Sequence, residues 1–592
     1  MTPRMLTVWI SAAMVVVLVV AWVLHRRADA RPELPALSAF AQQVDLTPLD
    51  RIAVQQEGRL KSFASYASSM VHFVSGPHAI NGNTDTFTYL DLMLRPQAYD
   101  DADAIFVKNK PIRSEIVAAL HRSLDEELTT RRMDGTPGID GGDAVVRDEF
   151  DRRMERFQQT GMVSSAMLGD PHVTRLLDLM ERDLIRTAKA VGLIRTALGI
   201  MHPAVLKENL RIVPPPGGGV DDPWLTVEAI ASAPPSADQG SVDAVVGTFG
   251  ELTEGWRQQD PQRVNDAVAR LAELLPAVSP GHYPATTRLG WESWYFKARN
   301  MTWVWVVYLL SVILLVMAFV YRWPAARWLG LGVFLAAFGL HTFALALRWY
   351  VSGRWPNANM FEAVTTSAWF GACLALLLEV FVRRSPMQNL FALASGIASM
   401  IALMCVHFLP VYLNPNISNK MPVLHDVWLY IHTNVIIFSY CLIAMAAVSA
   451  VTYVLYRLGG GRADYVQAGG AGTLIQKGPS GKTQLAAEGS SAGQVLDGAT
   501  MVLMELAFVM LWTGLVMGAI WADHSWGRPW GWDPKEVFAL NTFIILALLV
   551  HVRLKVVDKG LWTALLAIAG CAVMLFNWIF INFVIVGLHS YA

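Results

Sequence analysis

Apolar positions are spread unevenly along the 592 residues. A first apolar run covers Leu6–Leu24, a long stretch of mixed composition follows, and from about Met301 the apolar runs return and continue to the C-terminus. At ~1.5 Å of rise per residue, Leu6–Leu24 can cross a bilayer as a helix. No small-x-small cleavage site follows before His25-Arg26-Arg27, so this run is expected to stay as an anchor and not be cleaved as a signal peptide. Further spans are expected near 301–321, 328–347, 360–382, 388–412, 428–456, 499–521, 537–557 and 561–588. The pattern predicts an α-helical polytopic membrane protein of about nine transmembrane helices. It divides into an anchor (1–24), an extramembrane domain (25–300) and a membrane domain (301–592).

The extramembrane segment has helical periodicity, as in Pro111–Leu128 and Val173–Met201, broken by Gly/Pro stretches such as Pro214–Gly219. It is long enough for a real core and is expected to be mainly helical. No catalytic constellation stands out in it, so docking or scaffolding is the default role. Orientation follows from the short basic loops at Tyr321–Trp328, Arg383–Arg384, Arg457–Arg462 and Arg553–Lys559. Placed inside together, they put the N-terminus in the cytoplasm, with residues 25–300 and the C-terminus outside a bacterial inner membrane. His25-Arg26-Arg27, Arg348 and Arg354 run against that vote.

A composition of 54% hydrophobic and 16% charged residues excludes a large soluble enzyme, and a net charge of −1 gives no support to nucleic-acid binding. Cys373, Cys405, Cys441 and Cys571 each lie inside an apolar run without C-x-x-C or C-x-x-C-H spacing. They are expected to be packing residues, and the chain itself is not a c-type cytochrome. The segment from Gly459 to about Asp497 is Gly/Ser/Ala-rich and is expected to be a flexible inner loop. Its Gly481-Lys482-Thr483 matches only the end of a phosphate-binding loop, with Gln476 where the first glycine belongs.

The segment 521–536, WADHSWGRPWGWDPKE, is the most informative. It carries Trp521, Trp526, Trp530 and Trp532, interleaved with Gly527 and Gly531, in a connection predicted to lie on the outer face. Indole faces suit a flat aromatic ligand, and glycines allow close backbone approach. Arg528 and Lys535 supply cations for carboxylates. An interfacial aromatic belt accounts for one or two tryptophans, not for four at this density.

This segment resembles the tryptophan-rich "WWD" signature of haem-handling proteins, and its D-P-K-E ending is similar to the CcsA (ResC) branch of System II cytochrome c synthesis. The resemblance extends to His341…Arg348-Trp349 with Pro356-Asn-Ala-Asn-Met-Phe-Glu362, to Trp428-Leu-Tyr-Ile-His432, and to Asn582…Gly587-Leu-His-Ser590. It implies haem b as the transported ligand, held at the outer face between His432 and His589 on a platform of Trp521, Trp526, Gly527, Trp530, Trp532 and Asp533. It further implies that haem is presented there for thioether attachment to the C-x-x-C-H cysteines of apocytochrome c.

His551 lies ~21 Å along its span from the outer end at 1.5 Å per residue, and the resemblance makes it a ligand for haem inside the membrane. Its second axial ligand would come from a CcsB (ResB)-type membrane partner. Arg348 is expected either to meet a propionate or to anchor at the interface, His341 and Glu362 remain weaker candidates, and His524 is expected to be exposed. The alternatives are a haem transporter or chaperone without synthase activity, a structural membrane subunit, and a System I lyase. No residue is identified as a general base for the thiols.

Overall fold

The computed structural model describes residues 38–133, 142–184, 186–215, 222–232, 239–382, 387–410, 412–417, 426–466, 476–477, 483–484, 491–581 and 585. The expected anchor at Leu6–Leu24, Gly481-Lys482 and the terminal segment with His589 lie outside the described residues. The chain divides into two compact units, one ending at Lys297 and one beginning at Ala298.

The first unit is mainly helical. Its opening hairpin pairs Ala53–Gln56 with Arg59–Ser62. The two-residue turn Glu57-Gly58 has positive φ at both positions, which matches the twist of a tight hairpin. Ser62 then caps the helix Phe63–Ser75 by accepting from the Ser65 amide. A second two-stranded ladder joins Asp103–Phe106 to Met162–Ser164.

Apolar faces of the surrounding helices close one core around Trp256, whose indole N–H donates to Asp91 Oδ1 at 2.9 Å. The other Asp91 oxygen accepts from the Tyr99 hydroxyl, also at 2.9 Å. Burial beside that carboxylate raises the Tyr99 phenol far above its usual range.

The helix expected at Pro111–Leu128 is present as Lys110–Met133. The stretch Val173–Met201 is two helices, Pro171–Glu181 and Ala188–Ile200, and not one. Asp183 and Thr187 turn their side chains onto nearby backbone at the break, with Asp183 Oδ1 accepting from the Arg186 amide and Thr187 Oγ1 donating to the Met180 carbonyl. Such local bonds compete with the helical ladder.

The second unit contains eight helices long and apolar enough to cross a membrane, among the described residues. They are α1 (Trp305–Tyr321, led in by a 3₁₀ segment Arg299–Val304), α2 (Pro324–Ser352), α3 (Met360–Val382), α4 (Leu390–Phe408), α5 (Val427–Leu458), α6 (Ala492–Trp526), α7 (Pro534–Lys555) and α8 (Lys559–Leu575, continued as a π-helix over Phe576–Ile581). Each predicted span from 301 onward has its helix. The boundaries moved at α2, which is longer than 328–347, at α4, which is shorter than 388–412, and at α6, which begins well before residue 499. Asp497 therefore belongs to a helix and not to the loop that precedes it. Ser491 and Gln494 explain the early start, because they form a reciprocal capping box.

Small residues let these helices approach closely, as expected where water cannot drive association. A Cβ on Gly371 of α3 would lie 2.2 Å from Cys441 Sγ of α5. All four cysteines are free thiols, and Cys441 is buried in this contact.

Buried charge in the first unit meets either an opposite charge or polar acceptors, as Arg113 does at the Val107 and Gln158 carbonyls. Glu292 is fully buried, accepting from Arg59 Nη2 at 2.6 Å and the Ser62 amide at 3.1 Å. Removing one partner of such a pair strands the other charge, at a cost of ~3–5 kcal/mol. Glu292→Ala is expected to destabilise the first unit by that amount, measured as a drop in the thermal midpoint of its unfolding, whereas Trp291→Ala on the exposed side of the same helix should change little.

Candidate haem-facing site

Two features of local sequence shape the tryptophan-rich turn. Gly527 ends α6 in the left-handed region at φ 67°, and its amide bonds back to the Asp523 carbonyl. Asp533 then starts α7 as its N-cap, with Pro534 at the first helical position and Glu536 closing a capping box. The D-P-K-E sequence is thus physically a helix start. Trp521 and Trp526 sit on the last turns of α6, with rings 4.8 Å apart, so only Trp530 and Trp532 belong to the connecting turn. This corrects the expectation of four tryptophans in one loop. Gly527 is required by its backbone angle, since nothing lies within 4 Å of a Cβ built on it, and not by close approach.

Trp532 is the unusual member. It is 72% exposed, yet its backbone is left-handed at φ 56°, which costs a bulky L-residue ~1–2 kcal/mol. Glu536 holds it there: Oε2 accepts from the Gly531 amide at 2.9 Å and the Asp533 amide at 3.0 Å, gripping the backbone on both sides of the indole. Trp530 packs edge-on against Trp532 at 6.0 Å. Asp533 is buried in its capping role. Below the turn, Asn577 of α8 donates to Tyr440 Oη of α5 at 3.2 Å and to the Lys535 carbonyl at 3.4 Å, tying three helices together. Arg528 is exposed on the turn and Lys535 is half-buried in the first turn of α7.

His432 lies at the same end of the bundle, on α5 against α6. Its Nδ1 is 2.7 Å from the Gly514 carbonyl. A carbonyl only accepts, so Nδ1 carries the proton and the neutral ring keeps its lone pair on Nε2. That is the tautomer of a histidine ready to bind a metal, with a carbonyl orienting it from behind. The ring fits because α6 has no side chain there: a Cβ on Gly518 would stand 2.6 Å from His432 Cε1. One turn further, Trp428 meets His524 edge-on at 6.5 Å, and His524 is exposed as expected.

The α2–α3 connection walls this region. Trp355 Nε1 donates to Asn434 Oδ1 at 2.9 Å, and Asn357 Nδ2 donates to Thr433 Oγ1 at 3.2 Å, on the two residues that follow His432. Neither the glycines of α6 nor this asparagine–tryptophan wall was identified from sequence. The spacing of Gly514 and Gly518, at i and i+4, was the available signal.

Arg348 is 1% exposed, which does not fit the expected interfacial anchor. Its Nε donates to Glu362 Oε1 at 2.9 Å, and its terminal nitrogens donate to the Pro415 and Asn416 carbonyls. Arg354 reaches the other Glu362 oxygen at 2.8 Å. The carboxylate draws the guanidinium inward, because an uncompensated charge there would cost more than the pairing loses. His341 is likewise buried, with Nδ1 3.3 Å from the Tyr308 hydroxyl.

His551 stands apart, on the exposed side of α7 four residues before its far end. Its Nδ1 bonds to the Ala547 carbonyl at 2.8 Å, which again leaves the lone pair on Nε2. No group of three or more His, Cys, Asp or Glu forms a metal cluster among the described residues.

The family model described as "Cytochrome C assembly protein" matches residues 357–589. The protein named "Cytochrome c biogenesis protein CcsA" from Parasynechococcus marenigrum (strain WH8102) is 33% identical over 258 residues, covering 43% of this chain and 82% of that relative. Proteins of the same name from Synechococcus sp. (strain CC9902) and Prochlorococcus marinus (strain NATL1A) are both 31% identical. They cover 43% and 42% of this chain and 83% and 80% of their own lengths.

If Glu536 holds the turn, its removal opens it. Hydrogen bonds to a charged acceptor contribute ~1.5–3 kcal/mol each when buried and less at a surface. Glu536→Ala is expected to raise hydrogen–deuterium exchange across residues 527–536 by about tenfold or more, with Glu536→Gln intermediate and α5 unaffected.

Proposed function

The chain belongs to the CcsA family of cytochrome c biogenesis proteins, and on that premise we propose that it presents haem at the outer face of the bacterial inner membrane for attachment to apocytochrome c. The observation that carries this reading is the Nδ1–H bond from His432 to the Gly514 carbonyl, which orients a half-buried imidazole beside the tryptophan-rich turn and leaves its lone pair on Nε2. Residues 38–297 then belong to an extracytoplasmic domain, and the inner ends are those near Arg457, Asp558 and Arg553.

In this reading haem is the substrate. His432 holds one axial position and His589 the other. Trp530 and Trp532 supply aromatic faces toward the porphyrin, with Trp521 and Trp526 beneath them, while Asp533 and Glu536 keep the turn in shape. Arg528 is the cation placed to meet a propionate, in place of Arg348.

Attachment adds each cysteine S–H across a vinyl group: sulfur bonds to one carbon, hydrogen goes to the other, and no net redox change occurs. The protein contributes placement, with vinyls exposed and the porphyrin plane held. The imidazole of the C-x-x-C-H motif displaces a protein histidine, which frees the product. His551 faces out of the bundle within the membrane, which suits haem shared with a CcsB-type partner helix that contributes the second ligand.

The test is the reduced-haem absorption spectrum of the full chain purified with a CcsB-type partner. A bis-histidine spectrum that is altered or lost in both His432→Ala and His589→Ala is the expected result; haem retained unchanged in both removes these ligands. Gly518→Ala, which crowds the His432 ring, is expected to weaken haem binding ~10–100-fold, the usual effect of disturbing a ligand's supporting shell. Thioether formation on an added C-x-x-C-H peptide separates a synthase from a haem carrier.

A further inference from the structure

The far end of the membrane unit contains an arrangement that haem presentation at the other end leaves unused. Asp497 of α6 and Arg553 of α7 are 2% and 7% exposed and form a two-pronged ion pair, at 2.8 Å (Nη1 to Oδ1) and 2.7 Å (Nη2 to Oδ2). The pair also grips the backbone of Val466. The Val466 amide donates to Asp497 Oδ2 at 2.8 Å, and its carbonyl accepts from Arg553 Nη2 at 2.6 Å. Arg553 further reaches Thr563 Oγ1 of α8.

The segment carrying Val466 is a strap laid over the helix ends. The Asp464 carbonyl accepts from the Tyr453 hydroxyl at 3.3 Å, and a Cβ on Gly493 would lie 2.8 Å from that same carbonyl oxygen. Beside it, Arg457 of α5 pairs with Asp558, the N-cap of α8, at 2.6 Å. One buried ion pair thus joins α6, α7, α8 and the strap.

Its position relative to His551 gives the arrangement a function. Residues two apart on a helix are separated by ~200° around the axis, so positions 551 and 553 face nearly opposite ways. Arg553 is buried inward and His551 is exposed outward. Fixing Arg553 on Asp497 therefore sets the rotation of α7 and with it the direction of the imidazole.

We infer that Asp497 and Arg553 are positioning residues for His551, holding its Nε2 at a fixed angle for haem inside the membrane; this rests on the reading of His551 as a haem ligand. A guanidinium–carboxylate fork suits that task better than a point charge, because its two parallel bonds resist twisting. Sequence placed Asp497 in a flexible loop, so no pairing with Arg553 was expected.

The test is titration of hemin into the full chain in lipid nanodiscs, in a His432→Ala background that silences the outer site. Soret absorbance and low-temperature electron paramagnetic resonance are the readouts. Asp497→Ala and Arg553→Ala are expected to weaken binding ~10–100-fold, and neither should weaken it further once His551→Ala is present. Arg553→Lys keeps the charge but loses the fork, and is expected to shift the resonance g-values while the thermal midpoint stays near that of the parent.

Loss of binding in His551→Ala with parental binding in Asp497→Ala and Arg553→Ala overturns the positioning role and leaves the ligand. Parental binding in His551→Ala overturns both. Should the alanine variants fail to fold, unchanged g-values in a folded Arg553→Lys overturn the proposal.

Discussion

The contact between α5 and α6 at His432 is the constraint on which the tryptophan-bearing end depends. An imidazole can lie on a neighbouring helix only where that helix offers no side chain: Gly518 makes room for His432, and Gly514, one turn earlier, makes room for Ile436. The same approach brings a backbone carbonyl within hydrogen-bond reach of Nδ1 and so decides the tautomer. Trp521 and Trp526 continue α6 from this contact, and the turn beyond them begins where α6 ends. The α2–α3 connection docks on Thr433 and Asn434, immediately after His432. Moving α6 away from α5 would displace all of these together.

Charged groups in the membrane unit obey a related rule. In a medium without water each must find its compensation inside the protein. They do so at the two ends of the bundle. Glu362 collects Arg348 and Arg354 near the tryptophans, while Asp497 and Asp558 collect Arg553 and Arg457 at the other end. Glu379 uses a different solution and accepts three amides at the start of α4, those of Asn389, Phe391 and Ala392. An anion there also meets the positive end of the helix dipole. Between those ends the bundle is mostly apolar and small residues, with Glu505 on α6 an exception and a few hydroxyls returned to backbone carbonyls.

Much of the architecture was legible along the chain because a bilayer demands a simple pattern. Long apolar runs separated by basic loops marked each helix from α1 to α8, and errors were confined to helix ends, one of them set by the Ser491–Gln494 capping box. The tryptophan-rich segment was legible by composition as a concentration of indoles and glycines between two helices. Its division between a helix end and a turn was not, because nothing local stops Trp521–Trp526 from continuing α6 as far as Gly527. Arg348 misled for a similar reason. A lone arginine near a predicted span end reads as an anchor or an anion contact, and only the fold shows a carboxylate fourteen residues later turned back onto it.

By itself, then, the sequence determined which membrane segments are helices and which residue types gather at the tryptophan-rich turn, because hydropathy and composition act over a few residues. The tertiary structure alone decided which nitrogen of His432 carries its proton, which carboxylate holds the backbone of Trp532, and which aspartate receives Arg553. The helix contacts at His432 and Arg553 span 82 and 56 residues of sequence. Even the short reach from Glu536 to the Gly531 and Asp533 amides depends on a left-handed angle at Trp532 that no local propensity favours.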